Sequence, residues 1–311
     1  MAISRASIAK ELLPGLNAVF GLEYGEVNNE HEALFEVENS DRAFEEEVMF
    51  TGFATAPVKG EGSAVSYDTA QETYVSRYTN ETVALAFAVT EEAMEDNLYD
   101  TFSKLRARGL ARAMANTKQV KAADVFNNGF STAPAYIGGD GVAFFSASHP
   151  TVSAGVQSNV AAAADLSEAA LEAIITSVQK IKDDRNILIG ANAVSLHIPP
   201  DLWSTADQIL HSPGTTIAGG TGDGTYAQNN INAIRHMGMI PEGFMVNRRF
   251  TDTNGYFIKT DVPNGAKMFV RVPLQTKMEP DFDTGNLRFK ARERYSFGFS
   301  DWRSYFGSRG S

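Results

Sequence analysis

The sequence predicts an α+β fold, and three observations carry that prediction. Residues 82–89, "TVALAFAV", set Val83, Leu85, Phe87 and Val89 against Ala84, Ala86 and Ala88 with the period of a strand. Residues 91–127 have apolar residues at helical spacing, with acids at the start and bases later. From about Ile231 the chain reads as strand after strand. The outline is a long hairpin, a long helix, a layer of alternating helix and strand, and a closing set of strands.

Taken in order, residues 1–45 read as mixed helix and coil. Ile3, Ile8, Leu12 and Leu13 form one face of a helix that should stop near Pro14 and Gly15. The run "EVENSDRAFEEEV" carries many acids and few core residues, as expected of an arm lying on something else. Upstream of "TVALAFAV", the Thr- and Tyr-rich "SAVSYDTAQETYVSRYTNE" reads as its hairpin partner. A two-stranded ribbon is marginal alone in water, so this hairpin should rest on a neighbour.

The helix of 91–127 is expected to be capped by Thr90, to bury Met94, Leu98, Phe102 and Leu105, and to end at Gly129 as its C′ residue. Asp165 with Glu168 resembles a capping box opening a second helix, whose Leu171, Ile174, Ile175, Val178 and Ile181 face inward. The strand "AVSLHIPP" and a helix from about Asp201, carrying Leu202, Ala206 and Ile209, complete the α/β layer. "SPGTTIAGGTGDGTYAQNN" is a long loop, and "INAIRHMGMIP" then opens the run of strands.

Bulk composition narrows the function. The 311 residues, 43% hydrophobic and 21% charged, suit a folded core. With no cysteine there are no disulfides, thiolate metal sites or cysteine nucleophiles. A formal net charge of −11 argues against a surface wrapped directly on nucleic acid, while allowing a wall that faces it. No run approaches the roughly 20 apolar residues that span a bilayer, and the N-terminus lacks a secretory pattern. A cytoplasmic product, without membrane partners, is expected.

Chemical motifs are weak throughout. His31, His149, His197, His211 and His236 are scattered without metal-ligand spacing. "GGTGDGT" at 219–225 lacks the Lys-Ser/Thr of a phosphate-binding loop. "DFDTGN" at 281–286 lacks the closing glutamate of a calcium loop and reads as a hairpin turn. No G-x-S-x-G is present, so neither an enzyme activity nor a cofactor or metal is expected.

Three stretches carry a family resemblance. They are "AFAVTEEAMEDNLYDTFSKLRARGLARAMANTKQVKAADVFNNGF" (86–130), "FFSASHP" (144–150), and "LSEAALEAIITSVQKIKD" through "VSLHIPPDLWSTADQIL" (166–210). Together with the element order they resemble the major capsid proteins of tailed phages, the Hong Kong 97-type shell fold, close to Mu-like major head subunits. The resemblance implies an N-arm (1–45), an E-loop (46–90), a P-domain (91–164 with 259–294) and an A-domain (165–258 with 295–311). It also implies self-assembly through pentamers and hexamers into a virion shell built in the host cytoplasm. Scaffolding, portal and decoration proteins are possible partners, and packaged genomic DNA would be held without sequence-specific binding. Many relatives carry an N-terminal scaffolding segment that is removed; the sequence starts almost at the arm, so scaffolding is expected to be a separate protein or that segment never to have been present.

The surfaces expected to meet other copies are Lys59, Gly60, Glu61 and Gly62 in the flexible "VKGEGS" stretch of the E-loop, with Arg77 further along it. The loop Gly219, Gly220, Thr221, Gly222, Asp223 and Gly224 is expected to meet its mates around symmetry axes. In some relatives an E-loop lysine bonds covalently to a neighbour's asparagine; Lys59 with Asn264 or Asn286 would correspond, but their spacing does not support it and non-covalent contacts are expected. The aromatic tail, "RYSFGFSDWRSYFGS", is expected as a closing strand, with Tyr295, Phe297 and Phe299 on one face and Trp302, Tyr305 and Phe306 in the core near Trp203. Other readings are an encapsulin-like nanocompartment shell, an α/β enzyme with a glycine-rich lid, and a secreted β-rich binding module, the last disfavoured by the missing signal.

Overall fold

The computed structural model describes residues 5–27, 29–90, 92, 99–214, 231–281 and 283–311; for residues 5–14 and 99–103 it describes the backbone only. Two four-stranded sheets organise the chain, beside a short pair of strands, β5 (His149–Pro150) and β6 (Val156–Gln157). The first has the order β1 (Glu36–Asn39), β10 (Ala266–Pro280), β11 (Leu287–Phe299), β4 (Glu81–Val89). Within it β1 runs parallel to β10, and the other pairs are antiparallel. The β10–β11 turn closes at Asp281–Asn286, where Gly285 takes φ 69°, a conformation that favours glycine.

Helices α1 (Arg5–Glu26) and α3 (Tyr99–Asn127) cover one face of this sheet. Leu16 and Phe20 of α1 are buried with Ala107, Leu110, Ala111 and Met114 of α3 and with Phe289 and Ala291 of β11. The short side chains on α3 let the two helices approach closely. A buried ion pair, Lys118 Nζ to Glu293 Oε2 at 2.6 Å, joins α3 to β11, and Tyr24 of α1 donates to the same carboxylate at 3.2 Å.

The second sheet has the order β12 (Tyr305–Ser308), β9 (Tyr256–Thr260), β7 (Ala193–Ile198), β8 (Phe244–Val246). Around it lie α4 (Glu168–Gln179), α5 (Trp203–His211) and α6 (Ala233–Met237). The buried Leu171, Ile174, Ile175 and Val178 of α4 share one core with Leu196, Ile198, Trp302, Tyr305 and Phe306. Phe126 at the end of α3 enters the same core, 4.9 Å from the Tyr305 ring, so the two halves are continuous. The short helix α2 (Glu30–Leu34) seats on α3 through His31 and Gln119 (2.7 Å).

Several expectations need correction. The strand of residues 72–79 does not pair with 82–89. It is β3 (Glu72–Thr79) and pairs with β2 (Phe44–Phe50), while β4 pairs with β11. Asn80 makes the crossover: its side-chain amide donates to Ser40 Oγ and Arg42 O, tying the chain to the ribbon root. The acidic run of residues 36–48, expected to lie as an arm, supplies β1 and most of β2 instead.

Helix α1 does not stop at Pro14. Proline in a helix costs about 3 kcal/mol, and the burial of Leu16 and Phe20 beyond it offsets that cost. Leu105 is 64% exposed, because the buried face of α3 runs through Ala107, Leu110, Ala111 and Met114; Met94, Leu98 and Phe102 lie outside the described side chains. Gly129 is not left-handed; a Cβ there would lie 2.6 Å from the Phe145 ring, so space demands the glycine. Helix α4 is capped by Ser167, whose hydroxyl accepts from Ala170 N at 3.2 Å, while Asp165 accepts from Ser311. Residues 233–237 form α6, capped by Asn232 and closed by left-handed Gly238, and not a strand.

The closing strand is β12, in the second sheet; Tyr295, Phe297 and Phe299 belong to β11 in the first. Trp302 is buried, but far from its expected neighbour in environment: Trp203 is 58% exposed at the start of α5. Trp302 instead stacks on His149, rings 4.1 Å apart and 5° from parallel, with the Arg303 guanidinium 4.4 Å from its ring. His149 is held by Asp140 (2.6 Å) and Asn159 (3.1 Å). The Asn159 amide donates to the carbonyls of Phe144, Trp302 and Tyr305, pinning "FFSASHP" to the tail.

His197 on β7 is wholly buried beside Lys259, and burial first, then that charge, pushes its pKa down to about 3. The unfolded chain takes up a proton here near pH 6.5, whereas the native state refuses it down to about pH 3. Stability from this site is therefore full above about pH 6.5 and falls across that window as pH drops, by about 1.4 kcal/mol per unit. Denaturant titrations at pH 6.5 and 4.5 should show the wild type losing stability faster than His197→Gln. Equal slopes would contradict the assignment.

Candidate functional site

The β2–β3 ribbon has inverted polarity. Its inner face is polar: Glu47 accepts from Lys267 Nζ at 2.5 Å, and the Tyr78 and Ser300 hydroxyls lie 2.5 Å apart. Lys267 also meets Glu38 at 2.8 Å; burial works against its charge, but the two carboxylates outweigh it and raise its pKa. The outer face is apolar apart from the Glu46–Arg77 pair. Phe44, Val48, Phe50 and Val75 are exposed there, Val48 directly opposite Val75. Strands normally turn their apolar side inward. This alternation follows from the sequence, since Phe44, Val48 and Phe50 share a parity opposite to Glu45 and Glu47.

Beyond Thr51 and Gln71 the arm has no ladder, and residues 52–72 are all exposed. Phe53 (64%), Val65 (65%), Tyr67 (96%) and Val58 (100%) continue the uncovered apolar surface. The arm is closed at its base, where Ala54 N donates to Asp68 Oδ2 at 2.7 Å and Arg185 Nη2 donates to Thr69 O at 2.7 Å.

Of the expected contact residues, Lys59, Gly60, Glu61 and Gly62 sit together in a turn at the arm tip. Ser63 N and Oγ both donate to Gly60 O, and Gly62 takes φ 78°, where a side chain would be strained. Arg77 lies on the outer ribbon face, its guanidinium 3.8 Å from the Phe44 ring and 3.8 Å from Glu46. Gly219, Gly220, Thr221, Gly222, Asp223 and Gly224 lie outside the described residues.

Sequence reading passed over one feature. Arg288, Lys290, Arg292 and Arg294 occupy every second position of β11 and so share a sheet face. The signal was present in "RFKARER", read only as a strand. Among the described residues no group of acids and histidines could hold a metal ion, and no helix is long and apolar enough to cross a membrane.

An arm with an uncovered apolar face, a helix-backed long sheet and a second α/β unit define a shell subunit of the Hong Kong 97 type. Solved capsids share this architecture. The capsid of an empty GTA particle matches at 15% identity, covering 90% of this chain and 89% of that one, with a TM-score of 0.55. The bacteriophage JBD30 procapsid matches at 14% identity, covering 98% and 76%, with a TM-score of 0.52. The virus-like particle from Pyrococcus furiosus matches at 10% identity, covering 95% and 98%, with a TM-score of 0.51. The chain belongs to the phage capsid protein family, whose profile matches residues 73–306. No curated protein matches the sequence significantly. It is a major capsid protein, a structural component of a virion that self-assembles into an icosahedral shell.

Proposed function

We propose that the shell encloses the double-stranded DNA of a tailed phage, and that the β2–β3 arm is the device that joins one subunit to the next. The inverted polarity of the ribbon carries this reading: the apolar residues from Phe44 to Tyr67 have nothing to bury them in a single copy. A neighbouring copy supplies the missing surface, as closed symmetric assemblies require. In this reading residues 1–45 act as N-arm, 46–90 as E-loop, 91–164 with 259–294 as P-domain, and 165–258 with 295–311 as A-domain. Lys59, Gly60, Glu61, Gly62 and Arg77 meet one neighbour, and the 219–224 loop meets mates around five- and six-fold axes. Packaged DNA lies inside without sequence-specific contacts. Scaffolding, portal and decoration proteins join a shell assembled in the host cytoplasm. A nanocompartment shell of the same fold is the weaker reading, because the matching family is that of phage capsids.

Sedimentation and negative-stain microscopy of the protein expressed alone, and with its scaffold, test the proposal. Closed shells, tubes, or rings of five and six are expected. A monomer that persists at high concentration with scaffold present would overturn it.

A further inference from the structure

We infer that Arg185 is a positioning residue for the arm: the turn of residues 182–186 is a bracket on the body of the subunit, and Arg185 is the latch that sets the direction in which the arm leaves it. The inference rests on the arm being the joining device proposed above and names the residue that readies it within its own subunit. Arg185 Nη2 donates to Thr69 O at 2.7 Å, and Nη1 lies 3.9 Å from Asp68 Oδ1. Among the described residues, the bond to Thr69 is the one hydrogen bond that links residues 53–70 to the rest of the subunit. The other bonds of this stretch, Ala54 to Asp68 and Ser63 to Gly60 among them, stay within the arm.

The bracket is held firmly from below. Asp183 Oδ1 accepts from Arg185 N and from Ile187 N, both at 2.8 Å, which closes the turn. Asn186 takes φ 67°, a left-handed conformation uncommon outside glycine, and Lys182 Nζ donates to its side-chain oxygen at 2.8 Å. Asp184 is buried and receives Arg303 Nη2 at 2.9 Å, while Arg303 Nε donates to Lys182 O at 3.0 Å. Ser153 N and Oγ both donate to Asp184 O. The latch thus hangs from the buried Trp302–Arg303 seat. The first leg of the arm passes the same turn so closely that a Cβ on Gly52 would come within 3.2 Å of Asp183 Oδ2.

Stability of the single copy does not account for this contact. Arg185 Nε is buried without a hydrogen-bond partner, which costs free energy, and the groups that Arg185 reaches belong to an exposed stretch that adds nothing to either core. What the contact supplies is direction. Without a strand ladder, residues 53–70 would swing about the closure of Thr51 on Gln71, and a tie at Thr69, beside that pivot, confines the swing. A partner that accepts one pose of the arm binds more weakly in proportion to the time the arm spends in other poses.

The test reads the pose before any assembly. The chain has no cysteine, so spin labels on Ala64→Cys and Ser204→Cys, both exposed, report the distance from arm to body in the unassembled subunit without background. With Arg185 present one narrow distance distribution is expected. Arg185→Ala should make it at least about twofold broader, while melting stays within about 2 °C because no core contact is removed. In the unlabelled protein the same substitution should raise the concentration needed for assembly about tenfold. If Arg185→Ala does not fold, Arg185→Lys takes its place, keeping the charge but losing the planar fork, with the same expectation to a smaller degree. A distribution that stays narrow would overturn the latch. So would a fall in melting of the size a buried core residue gives, which would make Arg185 structural. A broadened arm that assembles at the wild-type concentration would overturn the need for a fixed pose. A wild type that forms no shells would count against the function proposed above, and the label distances would still decide the latch.

Discussion

Excising residues 55–67, and joining Ala54 to Asp68 through two glycines, leaves a folded subunit that no longer closes shells. The structure makes the excision local. Every residue from 52 to 72 is exposed, and the ends already meet, with Ala54 N on Asp68 and Thr51 N on Gln71 O at 2.8 Å. No core contact is removed, so stability should change by no more than about 0.5 kcal/mol. Assembly loses Val58, Val65 and Tyr67, all of them uncovered in the single copy. Thermal unfolding should match the wild type, while sedimentation shows only small species. Shells of normal size from this variant would remove the arm from the intersubunit contact.

Trp302→Ala acts at the opposite extreme, on the fold itself. Trp302 is 1% exposed between His149 and Arg303, and its carbonyl accepts from Asn159. Removing a buried tryptophan costs about 3–5 kcal/mol, which lowers Tm by on the order of 10 °C. The cavity also frees His149 and weakens the seat of Arg303, whose Nη2 reaches Asp184 at 2.9 Å. Trp203→Ala, at a 58% exposed site, should change Tm by a degree or two at most. Comparable losses at the two tryptophans in a calorimeter would contradict this contrast.

Much of the fold was legible in the residues. The period-two run of β4 and the helical stripes of α4 declare themselves locally, because each element needs only its own spacing to show. The buried tail was legible too, since six aromatic residues in fifteen must be covered. Pairing was not. β3 and β4 adjoin in sequence with only Asn80 between them, yet they enter different sheets, and no local period encodes that choice. Trp203 and Trp302 were indistinguishable by type; neighbours distant in sequence, His149 and Arg303, decide which is buried. The exposed face of the ribbon was half legible: the apolar parity of Phe44, Val48 and Phe50 was visible in sequence but overshadowed by the acids between them. The row on β11 was equally visible, but its meaning depends on β4 and β10 lying beside it.

The order of the first sheet also sets a timetable for synthesis. Strand β1 ends at residue 39 and β4 at residue 89, but their partners span 266–280 and 287–299. Such long-range pairing closes slowly, since the intervening chain must be ordered first. On the ribosome the first third of the chain waits without its sheet, and the ribbon without Lys267 and Ser300 that anchor its inner face. The arm becomes rigidly presented only once translation has passed Ser300. A truncated nascent chain therefore cannot offer neighbours a properly seated arm, and the growing lattice admits finished subunits alone.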